Sequence, residues 1–299
     1  MISIENVSKT YGKVQSLAQV SAMVGDGSIF GLIGSNGSGK STLLRIMSGA
    51  MRPDEGQILY DGRPIYESPA VKDEVLFLSD EQFQLSGASL NDMQRLYASV
   101  YKNFDMERYH ALCDLFHLEA DRKLSTFSKG MKKQASILLA LSCRPRYLLC
   151  DETFDGLDPV MRKLVKRLLA EEVASGNLTP IIASHNLREI EDICDHIGLL
   201  HGGSILFERE LDDMKRGIHT VQAVFDRVMH ESLFADLSPI SLTARGSLYT
   251  MVVRGDEEEI GAKIAALTPK FFEILPLTLE EIFISEMEER GYDYSKVIF

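Results

Sequence analysis

Residues Gly34-Ser35-Asn36-Gly37-Ser38-Gly39-Lys40-Ser41-Thr42 follow the pattern G-x-x-x-x-G-K-[ST]. The glycines let successive backbone N–H groups turn inward and cradle phosphate oxygens. A helix starting near Lys40 would present further amides to the same anion. Lys40 has the reach to meet β- and γ-phosphates, and the Ser41 hydroxyl suits Mg²⁺. A second chemical feature is the run Tyr147-Leu148-Leu149-Cys150-Asp151-Glu152, apolar residues ending in two carboxylates. Ligands of an open α/β sheet bind at the carboxyl ends of its strands. Asp151 would approach the metal there, directly or through water, and Glu152 could accept a proton from an attacking water. Two acids after a strand are common by themselves. Beside a phosphate loop they point to hydrolysis of a nucleoside triphosphate.

Such a site needs strands that stop together at one edge. Ser28–Ile33 is a mostly apolar run fit for a buried strand, followed by the glycine-rich turn and a helix over about Lys40–Ser48. Ile2–Ile4 alternates, and further short strands are expected at Gln57–Tyr60 and Val75–Leu78, with Asp61-Gly62 a turn. Residues 89–143 read as helical. Tyr147–Cys150 is a strand. Asp158-Pro159 opens a helix whose apolar face would carry Val160, Leu164, Val165, Leu168 and Leu169. Pro180–Ala183 is another buried strand, and Ile197–Leu200 with Ser204–Phe207 form a hairpin through Gly202-Gly203. Alternating strands and helices predict an α/β domain with a largely parallel sheet. A boundary is expected near Arg216-Gly217, and residues 217–299 read as a small α+β unit of strand, strand, helix, strand, helix.

The 299 residues suffice for about two domains. An apolar share of 45% and a charged share of 25% exclude disorder or a collagen-like chain. The net charge of −12 weighs against a nucleic-acid partner. Residues 218–299 supply −7 of it, from 7 basic and 14 acidic residues. Cys113, Cys143, Cys150 and Cys194 form no C-x-x-C pair, so buried thiols in a reducing compartment are expected. The N-terminal segment lacks the basic and apolar regions of a signal peptide. No apolar stretch approaches the roughly 18 residues of a membrane helix. A cytoplasmic protein is expected, held at a membrane only through something else.

Three more segments sharpen the assignment. Ser125–Gln134, reading STFSKGMKKQ, precedes the acidic strand; Thr153–Asp158, reading TFDGLD, follows it; Ala183-Ser184-His185 ends the next strand. In this order they resemble the ATP-binding subunits of bacterial ABC transporters, of the exporter type with a C-terminal extension. The resemblance covers residues 1 to about 215. It implies the P-loop NTPase ABC-cassette fold, with 89–143 as its helical subdomain and a C-terminal accessory domain over 217–299. It also implies roles. Tyr11 resembles the aromatic that stacks on adenine. Ser128, Lys129 and Gly130 resemble the signature loop that contacts ATP held by the opposite subunit. Gly156, Leu157 and Asp158 resemble the loop that crosses the dimer interface, and His185 the switch histidine at the γ-phosphate.

The sequence departs from the family pattern at two places. The signature has Lys129 where the family has its first glycine, Met131 where it has glutamine, and Gln134 where it has a later arginine. Similar S-K-G-M signatures occur in ATPases serving exporter-type permeases. The loop after Val75–Leu78 puts Asp80 at the family's glutamine position, with Gln82 two residues late. Asp80 would then join Ser41 and Asp151 on the metal side. The implied activity is Mg²⁺-dependent ATP hydrolysis in a homodimer, or in a heterodimer with a paralogous ATPase. It would drive transmembrane permease subunits from the inner face of the membrane, for export of peptides, antibiotics or lipids. The alternative is a soluble ABC ATPase acting on nucleic acid or ribosomes, which usually has two cassettes or long coiled-coil insertions. An ordinary phosphate-loop kinase would not need the three extra segments. No N-K-x-D motif is present, which favours ATP over GTP.

Overall fold

The computed structural model describes residues 1–81, 83–215 and 217–289, with side chains described to residue 284. Gln82, the alternative to Asp80, and Arg216, at the expected boundary, lie outside the described residues. The chain divides into two compact units, one over Met1–Arg209 and one from Glu210 onward. The break lies seven residues before the Arg216-Gly217 position expected from sequence.

The first unit opens with β1 (Ile2–Tyr11) and β2 (Val14–Val24), then β3 (Phe30–Ile33), α1 (Lys40–Met47), β4 (Glu55–Tyr60), β5 (Arg63–Pro64), α2 (Pro69–Lys72) and β6 (Val75–Leu78). Helices α3 (Leu90–Val100), α4 (Met106–Phe116) and α5 (Lys129–Ser142) fill the region expected to be helical. Then come β7 (Tyr147–Asp151), α6 (Pro159–Ala174), β8 (Thr179–Ser184), α7 (Leu187–Glu191), β9 (His196–His201) and β10 (Ser204–Glu210). Two sheets result. One is antiparallel, in the order β2-β1-β4-β5; the other has the order β10-β9-β3-β8-β7-β6, with parallel pairing from β9 through β6.

Each sheet reads in its residues. In β2, Leu17, Val20, Ala22 and Val24 turn inward while the residues between face out, the pattern of a sheet with one wet face. Strands β3, β7 and β8 are buried along their whole length, as central parallel strands are. Helix α1 lies against both, its Leu43, Leu44, Ile46 and Met47 sharing one core with Ile2, Ile4, Val20, Leu149 and Ile181. Each such fully buried side chain contributes roughly 1.5–3 kcal/mol. This packing fixes the start of α1, and hence the glycine loop, over the end of the parallel sheet.

The register then aligns the strand ends. Ile33 pairs with Ser184, Asp151 with Ala183, and Leu78 with Cys150. The segments following β3, β6, β7 and β8 therefore leave the sheet at one edge. All four cysteines are buried thiols, as expected. One expectation for α6 fails: Val160 is 71% exposed, and the buried face is Val165, Leu168 and Leu169. Val160 sits in the first turn, where Asp158 caps the helix through the amides of Val160 and Met161, before its axis meets the sheet.

The second unit contains α8 (Leu211–Lys215), β11 (Ile218–Val224), β12 (Ser241–Arg245), β13 (Leu248–Arg254), α9 (Glu257–Ala266), β14 (Phe271–Pro276) and α10 (Leu279–Glu289). Its antiparallel sheet runs β12-β13-β11-β14 around a separate core of Val221, Phe225, Phe234, Tyr249, Met251 and Ile264. Three strands precede α9 where sequence suggested two.

In the helical segment, Asp105 caps α4 by accepting from the Arg108 amide and is paired with Arg144 at 2.9 Å. The amide bond, then the guanidinium, hold its carboxyl below the ordinary 3.8. A folded-state pKa below the unfolded one means a contribution that is present above 3.8 and disappears as pH falls through the folded value. Asp105→Ala should therefore cost about 1 kcal/mol near neutral pH. The gap from wild type should narrow as the pH is taken below 3.8. Urea unfolding across pH measures this, and a gap constant down to acid pH would contradict it.

Candidate functional site

The loop after β3 is held by its own backbone. The Ser38 amide donates to Ser35 O at 3.1 Å, and the Gly203 amide donates to Ser38 O at 3.2 Å. Gly37 and Gly39 have φ of +79° and +109°. At Gly39 a Cβ would come within 2.6 Å of Ser16 O and 2.8 Å of Leu17 Cδ2, so space as well as conformation requires glycine. Ser16 Oγ also donates to Thr42 Oγ1 at 3.0 Å, fixing the first turn of α1 against β2. Lys40 is buried, and its ammonium folds over the loop to donate to Gly34 O at 2.6 Å and Ser35 O at 3.1 Å. Burial lowers its pKa, against the opposing pull of Glu152 and Asp151. Asn36 is exposed on the loop.

Across from Lys40, β7 ends in Asp151. Burial raises the Asp151 pKa, the hydroxyl of Ser41 opposes that by hydrogen bonding, and neighbouring Glu152 adds to the rise. Asp151 Oδ1 has no hydrogen-bond partner among the described residues, and neither has the buried Ser38 Oγ. A buried carboxylate oxygen left bare beside a serine hydroxyl fits a hard cation as its missing partner. Among the described residues no cluster of three His, Cys, Asp or Glu could hold a metal by itself. A cation here would take one or two protein ligands and complete its shell from phosphate and water, the habit of Mg²⁺.

Glu152 follows with φ +48°, a left-handed conformation that costs a non-glycine residue about 1–2 kcal/mol. Four contacts hold it there. Its amide donates to Ala183 O at 3.0 Å, and its carbonyl accepts from Lys133 Nζ at 2.6 Å. Its Oε1 lies 3.0 Å from His185 Nδ1, and its Oε2 accepts from Ser184 Oγ at 3.3 Å. Against an ionised carboxylate Nδ1 must carry the proton, which leaves Nε2 as the other functional nitrogen of His185. Ser184 Oγ also lies 3.4 Å from buried Glu189 Oε2, and Glu189 pairs with Arg162 at 3.2 Å. Arg162 in turn donates to Leu157 O at 3.3 Å. A continuous polar chain thus joins Glu152 to the segment 153–158.

The other expected residues lie at the end of β1, at the start of α5 and in the segments after β6 and β7. Ser128 caps α5, its Oγ accepting from the Met131 amide at 3.2 Å, so its O–H hydrogen stays available to another acceptor. Lys129 is exposed and lies 3.6 Å from Asp155, and a Cβ on Gly130 would come within 3.0 Å of Gly156 O. The 128–130 and 155–156 segments therefore present one joint surface. Tyr11, at the end of β1, is 45% exposed, its hydroxyl donating to Met51 Sδ at 2.9 Å. Asp80 is engaged with Lys133, at 3.1 Å. Lys133, Ser184, Glu189 and Arg162 were not anticipated. Spacing does not single out Lys133, because every residue of α5 from Lys133 to Ser142 is buried.

The sequence profile described as "ABC transporter" matches residues 17–155. Over 286 residues the chain is 32% identical to the ABC transporter ATP-binding protein YtrB of Bacillus subtilis, covering 96% of this chain and 98% of that protein. It is 31% identical over 223 residues to the bacitracin transport ATP-binding protein BcrA of Bacillus licheniformis, covering 72% of each. A solved ATP-binding subunit of an ABC transporter superposes with a TM-score of 0.67 at 27% identity, over 72% of this chain and 92% of that one.

Gly39→Ala should displace the loop from β2 and remove nucleotide binding. A ligand near a hundredfold above its Kd stabilises by about 2.7 kcal/mol, roughly 5–10 °C in a unit of this size. The substitution should abolish that MgATP-induced rise in melting temperature. An undiminished rise would contradict the loop geometry.

Proposed function

The chain belongs to the ABC transporter ATP-binding family, and from that premise we propose that it binds MgATP at residues 34–42 and drives separate membrane permease subunits by hydrolysing it. The alignment at one sheet edge of the glycine loop, Asp151, Glu152 and His185 carries this reading.

Lys40 and the loop amides bind the β- and γ-phosphates, with Lys40 exchanging its loop carbonyls for phosphate oxygens. Ser41 and Asp151 would hold Mg²⁺, with Asp80 the third candidate. When bound, the cation screens phosphate charge and polarises the γ-phosphoryl group. Glu152 accepts the proton of the attacking water, and its contacts to His185 and Ser184 aim the carboxylate. His185, anchored through Nδ1, keeps Nε2 for a γ-phosphate oxygen or the water. Tyr11 stacks on adenine.

Ser128, Lys129 and Gly130 serve the ATP of a facing subunit, either a second copy or a paralogue. Their contacts to Asp155 and Gly156 support this, because the segment turns its polar groups outward beside the loop expected at the interface. Lys129 adds positive charge for a phosphate. The unit beyond residue 210 supports the dimer. No helix among the described residues is long and apolar enough to cross a membrane, so the permease holds the chain at the inner face. The named cargo of the bacitracin relative favours export of antibiotic-like peptides or lipids over work on nucleic acid, as does the net charge of −12.

Glu152→Gln should bind MgATP but hydrolyse it at least about a hundredfold more slowly, within the range for a lost general base. Its solution mass should double on adding MgATP if two copies form the sandwich. A monomer that still binds MgATP points to a paralogue or to assembly on the permease. Failure to bind MgATP would sink the reading.

A further inference from the structure

Lys133 lies in α5, five residues beyond the capping Ser128, and is 1% exposed. An ammonium is costly to remove from water, and an apolar side chain of similar volume would fill the same space without that cost. Its two polar contacts explain what the charge does. The Nζ donates to the Glu152 carbonyl at 2.6 Å and lies 3.1 Å from Asp80 Oδ1. Asp80 keeps 52% of its side chain exposed, so it does not depend on the lysine for solvation. The lysine depends on it, as the counter-charge that lets an ammonium sit under Glu152.

The carbonyl is the sensitive group. Glu152 is held at φ +48°, and its amide is already fixed to Ala183 O. If the carbonyl is released, the following peptide can rotate toward an unstrained conformation. That rotation would carry the carboxylate away from His185 Nδ1 and Ser184 Oγ. A side chain that removes this freedom pre-organises the base before the nucleotide arrives.

We infer that Lys133 is a positioning residue for ATP hydrolysis: its buried ammonium, balanced by Asp80, clamps the main-chain carbonyl of Glu152 and so aims the base. The helix that begins at the signature serine thereby reaches the hydrolytic centre of its own subunit directly. This inference rests on Glu152 acting as the base.

The test compares Lys133→Met and Lys133→Gln in the full chain. Glutamine keeps an N–H donor for the carbonyl, whereas methionine keeps only the volume. In K133M, kcat should fall about tenfold or more while KM stays within about twofold; K133Q should recover to within about threefold of wild type. Calorimetric titration with MgATP should give wild-type affinity in both. The inference is overturned if K133M turns over at the wild-type rate, if MgATP affinity falls in step with kcat, or if both variants lose kcat equally. Should K133M not fold, a tenfold loss in a folded K133Q at unchanged affinity also overturns it. E152Q separates the two levels. If E152Q hydrolyses ATP normally, the base assignment itself is wrong; if E152Q is slow beside a normal K133M, only the clamp is.

Discussion

Lys40 is a buried cation in a loop that offers it only carbonyl oxygens, and the strands around it are arranged to make that tolerable. A single ammonium away from water needs acceptors and nearby negative charge. Gly34 O and Ser35 O supply the first, while Asp151 and Glu152 on the next-but-one strand supply the second. The dependence is mutual, because Asp151 is buried with an oxygen that no described residue satisfies. Neither strand end is comfortable alone. Together they bring one cation and two carboxylates to the same end of the sheet, with Asp151 Oδ1 still without a hydrogen-bond partner among the described residues. The strained backbone lies here for the same reason: Gly37, Gly39 and Glu152 turn left-handed where amides and carboxylates must converge on one point.

Glu152 shows how the surrounding elements meet that demand. Its amide is held by β8, its carbonyl by α5, one carboxylate oxygen by the residue after β8 and the other by the last residue of β8. The route through Glu189 and Arg162 to Leu157 O adds the segment expected to face another subunit. Rigid packing has few intermediate arrangements, so a displacement at Leu157 or in α5 is felt at Glu152 as a change of hydrogen bond. A hydrolytic centre built this way can be set by partners that never touch the nucleotide beside it. That is a physical basis for coupling hydrolysis to motion elsewhere.

What could be read from sequence was chemistry carried by neighbours in the chain. Residues 34–42 and 147–152 announce a phosphate loop and an acidic strand end because each is contiguous, and Asp158-Pro159 announces a helix start. The helical stretch 89–143 and the buried cysteines followed from composition and pattern. Contacts across elements were out of reach. Nothing in K-K-Q says that Lys133 is the buried member and Lys132 is not, and only the phase of α5 against the sheet decides it. Val160 shows the same limit: it continues the apolar spacing of α6, yet the helix has not reached the sheet at that point. In the second unit, Ser241–Arg245 is an edge strand with no continuous buried face, so it lacked the alternation that marks β13.

The second unit has a self-contained logic that constrains its part in any mechanism. Phe225, Phe234 and Tyr249 pack edge to face or tilted with centroids 5.4–5.9 Å apart, and the Tyr249 hydroxyl both accepts from the Met229 amide and donates to its carbonyl. That closes its core around its own aromatics. At the start of α10, Thr278 and Glu281 cap each other reciprocally, and Glu281 also accepts from Thr220 on β11 at 3.2 Å. The last helix is thereby tied to the middle of its own sheet. Residues 218–299 carry 14 acidic against 7 basic residues, and Val228, Leu233 and Phe271 are exposed as well. Such a unit can act through its outer charge and shape. Like charges facing each other across a dimer would repel, and salt would relieve that repulsion. Any support it gives to pairing must therefore come from a local contact strong enough to outweigh the charge it brings.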